Sequence, residues 1–262
     1  MDRPKIPAPL MVMSTIAKTR LVPQCFVNVK DSLQGADVQN QIADVVWRPG
    51  GVPVSTRFDD PYFSLDDGLA ETRHVFLAGN GLPDRFRDGF HIAELGFGTG
   101  LNFLTTVDAW RKTGCLGHLG FTSFEAFPLT RTDMAKALCV FKTHGLKTDA
   151  LVDLWQPTGG VLKFAPDITL EVVIGDARDT LPRWQGCADA WYLDGFSPAK
   201  NPEIWSTKLL SHVAEHTLPG GTCATYTAAG FVRRGLTDAG FQVERVSGYG
   251  RKRHMTRGTL GA

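Results

Sequence analysis

From His91 onward, short apolar runs alternate with segments whose apolar positions recur at helical spacing. The runs predict strands at His91–Leu95, Gly120–Phe124, Ile168–Ile174, Ala188–Leu193, Thr222–Thr227, Phe241–Ser247 and His254–Gly258. The helical spacing predicts helices at Asn102–Lys112, Arg131–Phe141, Ala177–Trp184, Glu203–Thr217 and Phe231–Ala239. Leu218-Pro219-Gly220-Gly221 stops the fourth helix and Gly240 the fifth. Such alternation belongs to an α/β chain with a mostly parallel, Rossmann-like sheet covered on both faces. The last two runs flank Gly248-Tyr249-Gly250-Arg251, so they pair as an antiparallel hairpin and the expected sheet has seven strands, the last antiparallel. Upstream, Val52-Pro53-Val54 is a short extended piece, and Asp66 to Leu77 reads as a capped helix ending at Gly79-Asn80-Gly81. Residues 1–45 show no sustained period. The expected organisation is an unassigned extension (1–45) and one domain (46–262), made of cap elements (46–90) on a core (91–262).

Composition narrows the class. With 262 residues, 43% hydrophobic and 21% charged, the chain can bury one generous core and is not a disordered polymer. Its five cysteines, Cys25, Cys115, Cys139, Cys187 and Cys223, are scattered without a Cys-x-x-Cys pair. That argues against a disulfide framework or a zinc site and for a reducing compartment. The seven histidines form no metal-ligand motif, so no metal is expected. No run of 18 apolar residues exists, and Pro7 to Ile16 makes no convincing secretory leader. A cytoplasmic protein with no membrane partner is the expectation. The net charge of +1 says little, but from Arg233 to the end seven Lys/Arg stand against two acids. That basic edge either meets phosphates or is a solvated face.

Candidate chemistry concentrates at the predicted strand ends, where open α/β sheets bind ligands. After the first strand comes Glu94-Leu95-Gly96-Phe97-Gly98-Thr99-Gly100-Leu101-Asn102. A dinucleotide fingerprint from Gly96 and Gly98 needs a third glycine at 101, where this chain has leucine. Glu-x-Gly-x-Gly-x-Gly is instead the first-loop pattern of class I S-adenosyl-L-methionine methyltransferases, unless it is an ordinary Gly-rich turn. Glu125, 25 residues beyond Gly100, can accept both hydroxyls of a ribose, and Asp176 can accept from an adenine amine. Either acid can equally cap the helix that follows it. Asp194-Gly195-Phe196-Ser197-Pro198 resembles the acid-x-aromatic/proline loop that amine methyltransferases place beside the reacting methyl. Asp194 is the candidate to orient an amine and take its proton. Phe196 would exclude water, and Lys200 would face a phosphate. A Pro-bounded turn explains the same loop without function.

Seven blocks, in order, resemble the methyltransferase domain of the MnmC family and its stand-alone form MnmD. They are Arg57 to Ser64, Gly68 to Leu77, Glu94 to Leu104, Ser123 to Arg131, Leu193 to Pro202, Ala229 to Leu236 and Gly250 to Met255. The resemblance runs from about Trp47 to Gly258 and implies a class I methyltransferase fold. It implies methylation of the 5-aminomethyl group on the wobble (2-thio)uridine in the tRNA anticodon loop, with S-adenosyl-L-methionine as cofactor. The cofactor set it implies is Glu94, Gly96, Phe97, Gly98, Gly100, Asn102, Glu125, Asp176 and Asp194, with Asp194 also catalytic. Phe58, Asp59, Asp60, Tyr62, Phe196 and Lys200 form the implied substrate pocket. Charge adds Arg233, Arg234, Arg251, Lys252 and Arg253 as tRNA contacts. Bifunctional members carry an FAD-dependent oxidase. The expectation for this chain is no FAD, a separate oxidase acting upstream, and no action on the carboxymethyl precursor. Three other readings stay open: a class I methyltransferase for a small-molecule amine, a tRNA-binding module, and, disfavoured by Leu101, a nicotinamide enzyme.

Overall fold

The computed structural model describes residues 42–64 and 67–261. Most of the predicted extension, residues 1–41, lies outside the described residues, as do Leu65 and Asp66 of the segment predicted as a capped helix. The strands are β1 (Val45–Arg48), β2 (Val52–Ser55), β3 (Asp60–Pro61), β4 (Phe90–Leu95), β5 (Leu119–Glu125), β6 (Gly160–Ala165), β7 (Ile168–Ile174), β8 (Ala188–Leu193), β9 (Thr217–Thr225), β10 (Phe241–Ser247) and β11 (His254–Leu260). The helices are α1 (Gly68–Thr72), α2 (Leu101–Thr113), α3 (Arg131–Leu138), α4 (Thr148–Leu154), α5 (Ala177–Thr180), α6 (Thr207–Glu215) and α7 (Gly230–Asp238).

Strands β4 to β11 form one sheet in the order β10-β11-β9-β8-β4-β5-β7-β6. The inner five are parallel; β6 and β11 run antiparallel to them, and β10 pairs antiparallel with β11. Strand order reverses between β4 and β8, which opens the crevice where such sheets bind ligands. Because successive strand residues point to opposite faces, Trp191 and Tyr192 of β8 bury into two separate cores. One core contains Phe76, Phe103, Trp110 and Trp155, and the other Trp205, Leu209, Val213 and Leu236.

Three expectations are corrected. The sheet has eight strands rather than seven, because β6 pairs antiparallel with β7 at the edge. β6 is an edge strand: Val161 is 47% exposed, and Lys163 interrupts its apolar residues, of which Leu162, Phe164 and Ala165 pack on the core. The fourth predicted helix starts late, at Thr207, because Pro202–Trp205 is a 3-10 turn and Ser206 is extended. Strand β9 begins at Thr217, with Pro219-Gly220-Gly221 absorbed in an irregularity opposite Ala188 and Ala190.

The segment around Trp155, which no predicted element covers, has a structural task. Helix α4 and Trp155 back the glycine loop from outside: Phe97 stacks on Trp155 with ring centroids 5.1 Å apart. The Trp155 indole donates to the Leu129 carbonyl at 2.8 Å. Upstream, Asp67 caps α1 by accepting from the Ala70 N–H, and left-handed Gly81 ends the turns that follow it. Those turns lie against β9, where Gly79 meets Ala224 so closely that no Cβ fits. Trp155→Ala should therefore cost about 3–5 kcal/mol of stability, read as a lowered urea midpoint, and should loosen the glycine loop.

Candidate functional site

The β4 and β8 strand ends meet at the crevice through backbone alone. Gly96 (φ +90) donates to the Phe124 carbonyl at 2.8 Å, and Asp194 N–H donates to the Leu95 carbonyl at 3.1 Å. A Cβ on Gly96 would collide with the Asp194 carbonyl oxygen. This close approach is what glycine permits at that position. Gly98 (φ +53) presents its N–H to Glu125 at 2.8 Å. Gly100 starts α2 with no side-chain cap and leaves no room for a Cβ against Leu151. Gly100 is not on the cavity wall, whereas Gly96, Phe97 and Gly98 are.

Asn102 links two carboxyls. Its Nδ2 donates to Glu94 at 2.8 Å and to Asp194 at 2.6 Å, while its Oδ1 accepts from the Thr72 hydroxyl at 3.0 Å. The second Glu94 oxygen accepts from Ser123 at 2.7 Å. Glu94 is wholly buried behind this network and does not line the cavity. Burial pushes its carboxyl well above the usual range, against the Asn102 bond; nearby Asp194 pushes the same way, and the Ser123 bond opposes. Burial also pushes the Asp194 carboxyl up to about 7, opposed by the Asn102 bond and the Lys252 charge and reinforced by Glu71. Glu125 is raised by burial, and backbone N–H groups from Gly98 and Phe127 offset part of that. Asp176 lines the mouth and also caps α5, accepting from the Arg178 N–H at 2.8 Å; the Arg178 side chain holds its carboxyl low.

The cavity has a volume of about 760 Å³. One wall is aromatic: Phe58 stacks on Phe196 at 4.7 Å, Tyr62 meets Phe196 edge-on at 5.2 Å, and Phe127 meets Phe58 at 5.8 Å. Arg57 lies 4.5 Å above the Phe127 ring. The β2–β3 segment is pinned to the loop after β8. Asp60 accepts from the Ser197 N–H at 2.8 Å, and Lys200 bonds the Asp59 carbonyl and its carboxylate. Asp59 is the one non-glycine described residue with positive φ, +48. It does not line the cavity; its role is to hold Lys200. Lys200 lines the cavity beside the acids.

Of the five predicted phosphate contacts, Arg251 and Lys252 reach the cavity wall, and Arg233, Arg234 and Arg253 do not. Lys252 points inward, 2.8 Å from Glu71 and 4.0 Å from the centroid of the Tyr226 ring. Arg233 donates to the Ala228 carbonyl at the start of α7. Several lining residues carried no assignment from sequence. Arg57, Glu71, Thr72 and Phe127 sat inside the family-like blocks without a stated role. Tyr226, whose hydroxyl donates to the Gly195 carbonyl at 2.7 Å, follows the end of β9. The strand-end rule applied to β9 would have found it.

The residues present suit a nucleoside cofactor with a short charged tail. The glycine backbone forms a floor that side chains would fill, and Glu125 and Asp176 stand as acceptors at successive strand ends. A family profile described as S-adenosyl-L-methionine-dependent methyltransferase matches residues 145–261. The bifunctional protein MnmC of Aeromonas salmonicida (strain A449), named for tRNA 5-methylaminomethyl-2-thiouridine biosynthesis, is 48% identical over 228 residues, covering 81% of this chain and 34% of that protein. The like-named protein of Caulobacter sp. (strain K31) is 44% identical over 221 residues, covering 80% and 37%. The chain is an S-adenosyl-L-methionine-dependent methyltransferase, similar over most of its length to part of the MnmC proteins. It spans about one third of the length of the curated MnmC relatives it matches. The crystal structure of MNMC2 from Aquifex aeolicus superposes with a TM-score of 0.65 at 24% identity, covering 84% of this chain and 71% of that one. Spermidine synthase from Thermotoga maritima gives 0.53 at 11%, covering 84% and 69%. Both likenesses concern the fold, and they agree with the expected class I architecture. Among the described residues no helix is long and apolar enough to cross a membrane.

The raised Asp194 carboxyl has a measurable consequence for this chain. Its ordinary value is 3.8 and its folded value about 7, so between them the folded state binds the proton more tightly. The stabilisation is complete below the ordinary value and is lost as pH rises through about 7. Asp194→Asn, whose oxygen can still accept from Asn102, should flatten that loss. At pH ~8 it should raise the melting temperature by several degrees, on the order of 2 °C or more per kcal/mol, in a calorimetric pH series.

Proposed function

We propose that this chain methylates a primary amine presented on a nucleobase, the 5-aminomethyl group of wobble (2-thio)uridine in the tRNA anticodon loop, giving the 5-methylaminomethyl product. The observation that carries the reading is Asp194: it stands at the sheet crossover, in a cavity walled by Phe58, Tyr62 and Phe196, with burial pushing its carboxyl up to about 7. A base extruded from an anticodon loop needs aromatic faces to replace its lost stacking, and those rings supply them.

When bound, S-adenosyl-L-methionine supplies an electrophilic methyl on a sulfonium. The amine lone pair forms the new N–C bond as the C–S pair departs with sulfur. Asp194 accepts an N–H of the incoming amine, so the lone pair is aimed along that line, and its carboxylate then takes the proton shed by the secondary ammonium product. In this reading Gly96, Phe97 and Gly98 approach the cofactor through the main chain, and Glu125 and Asp176 accept from its ribose and adenine. Glu94, Gly100 and Asn102 serve the same site by holding the loop and Asp194. Phe58, Tyr62, Phe196, Asp60 and Lys200 form the base pocket, Asp59 acting through Lys200. Arg233, Arg234, Arg251 and Arg253 meet tRNA phosphates. Catalysis belongs to residues 46–262, in the cytoplasm, and an FAD-dependent oxidase activity supplies the aminomethyl substrate.

The test is incubation with methyl-labelled cofactor and bulk tRNA from cells lacking the activity, followed by nucleoside mass analysis. One added methyl on 5-aminomethyl(-2-thio)uridine is expected, with the carboxymethyl form untouched. Asp194→Asn should lower turnover by about 10²–10⁴ while cofactor affinity stays within about tenfold. Parent tRNA binding should weaken steeply with salt. Label on no tRNA nucleoside, with cofactor bound, would instead favour a small-molecule amine as substrate.

A further inference from the structure

The Gly248–Arg253 turn between β10 and β11 does more than present charge to solvent. Its backbone closes through Gly248 N–H to the Arg253 carbonyl at 3.1 Å and Lys252 N–H to the Tyr249 carbonyl at 3.0 Å. His74 anchors the turn to the first helical segment, 3.0 Å from the Ser247 carbonyl and tilted against the Tyr249 ring with centroids 5.8 Å apart. Lys252 is thereby aimed into the cavity, where its ammonium meets Glu71 of α1 and the face of Tyr226. A cation held over a ring and beside a carboxylate is fixed in place more firmly than a surface lysine.

We propose that Lys252 is a positioning residue for the methyl transfer: its fixed positive charge, facing the same cavity as Asp194, favours the ionised carboxylate and the neutral amine there. The inference rests on the amine-methylation reading above. Transfer requires an amine with a free lone pair, and an ammonium cannot donate one. A second cation in the cavity makes a protonated amine unfavourable and releases its proton to solvent, whereas the neutral amine is unaffected. The same charge opposes the desolvation that raises Asp194. Glu71 prevents Lys252 from swinging into the substrate space.

Other charged groups surround the pair. Glu94 faces Asp194 through Asn102 from β4, and Glu125 of β5 lies beyond it. Tyr226 sits among Asp194, Asp60 and Glu71, and their negative charges, with burial, keep its phenol protonated. Lys200 is engaged by Asp59 and Asp60 on the opposite rim. Within this set Lys252 is the cation that acts on Asp194, and Glu71 is the acid that opposes it.

The experiment compares parent, Lys252→Met, Lys252→Arg and Glu71→Gln. Each is read three ways: the NMR titration of the Asp194 carboxyl without cofactor, the pH profile of kcat/KM with tRNA, and the salt dependence of tRNA binding. Lys252→Met should move the Asp194 midpoint upward by roughly half a unit or more and shift the acid limb of the profile the same way. Lys252→Arg should restore both, and Glu71→Gln should move the midpoint down. The salt slope should be unchanged in all of them. An unmoved Asp194 midpoint in Lys252→Met overturns the proposal. So does a salt slope reduced by about 0.7–0.9, which would make Lys252 a phosphate contact. If the parent methylates no tRNA, the tRNA reading fails by itself, and the titration still decides the role of Lys252.

Discussion

The site depends on two backbones passing each other at the sheet crossover. Gly96 and Asp194 approach so closely that one added methyl would push the strands apart. That contact places the glycine loop and Asp194 in one frame, with no side chain between them to adjust. Asn102 then reads the frame: one amide spends both hydrogens on carboxyls from different strands, and its oxygen on Thr72 of α1. With both carboxyls ionised, this amide orientation satisfies all three partners.

Such an arrangement costs stability. Glu94, Glu125 and Asp194 are all raised by burial, so the fold holds three carboxyls where water cannot solvate them well. Hydrogen bonds from Ser123, Asn102 and the main chain of Gly98 and Phe127 offset part of that penalty. The remainder is the property a proton acceptor near neutrality needs. The destabilised groups lie in or directly behind the cavity, whereas at the opposite end of the sheet Asp189 is matched by Arg87 and by the His91 N–H.

Much of the centre was legible in the sequence. The Gly-x-Gly-x-Gly spacing, with leucine where a dinucleotide loop needs glycine, is a backbone requirement written directly in residue types. The acids at strand ends follow from where such sheets bind ligands. The edge was less legible: β6 is six residues long with Lys163 in its middle, and α4 is seven residues long. Glu94 was placed with the cofactor because it belongs to the loop pattern, yet it is buried behind the crevice. Lys252 was grouped with the phosphate contacts on charge alone. A run of basic residues gives no clue to which member turns inward; that is set by Glu71, 181 residues away in sequence, and by the ring of Tyr226.

The aromatic wall is stitched from distant parts of the chain. Asp60 and Ser197 are separated by 137 residues, yet their bond and the Phe58–Phe196 stack hold the β2–β3 segment to the loop after β8. The three-stranded β1–β2–β3 ribbon shares no ladder with the main sheet. Its tether consists of those rim contacts together with packing of Ala43, Val45, Tyr62 and Phe63 against the core, the Ala43 N–H bond to the Pro128 carbonyl and Lys136 over the Trp47 ring, while the sheet keeps its own ladders. Because no ladder joins the two, loss of the ribbon would leave the ladders that hold the crossover of β4 and β8 in place.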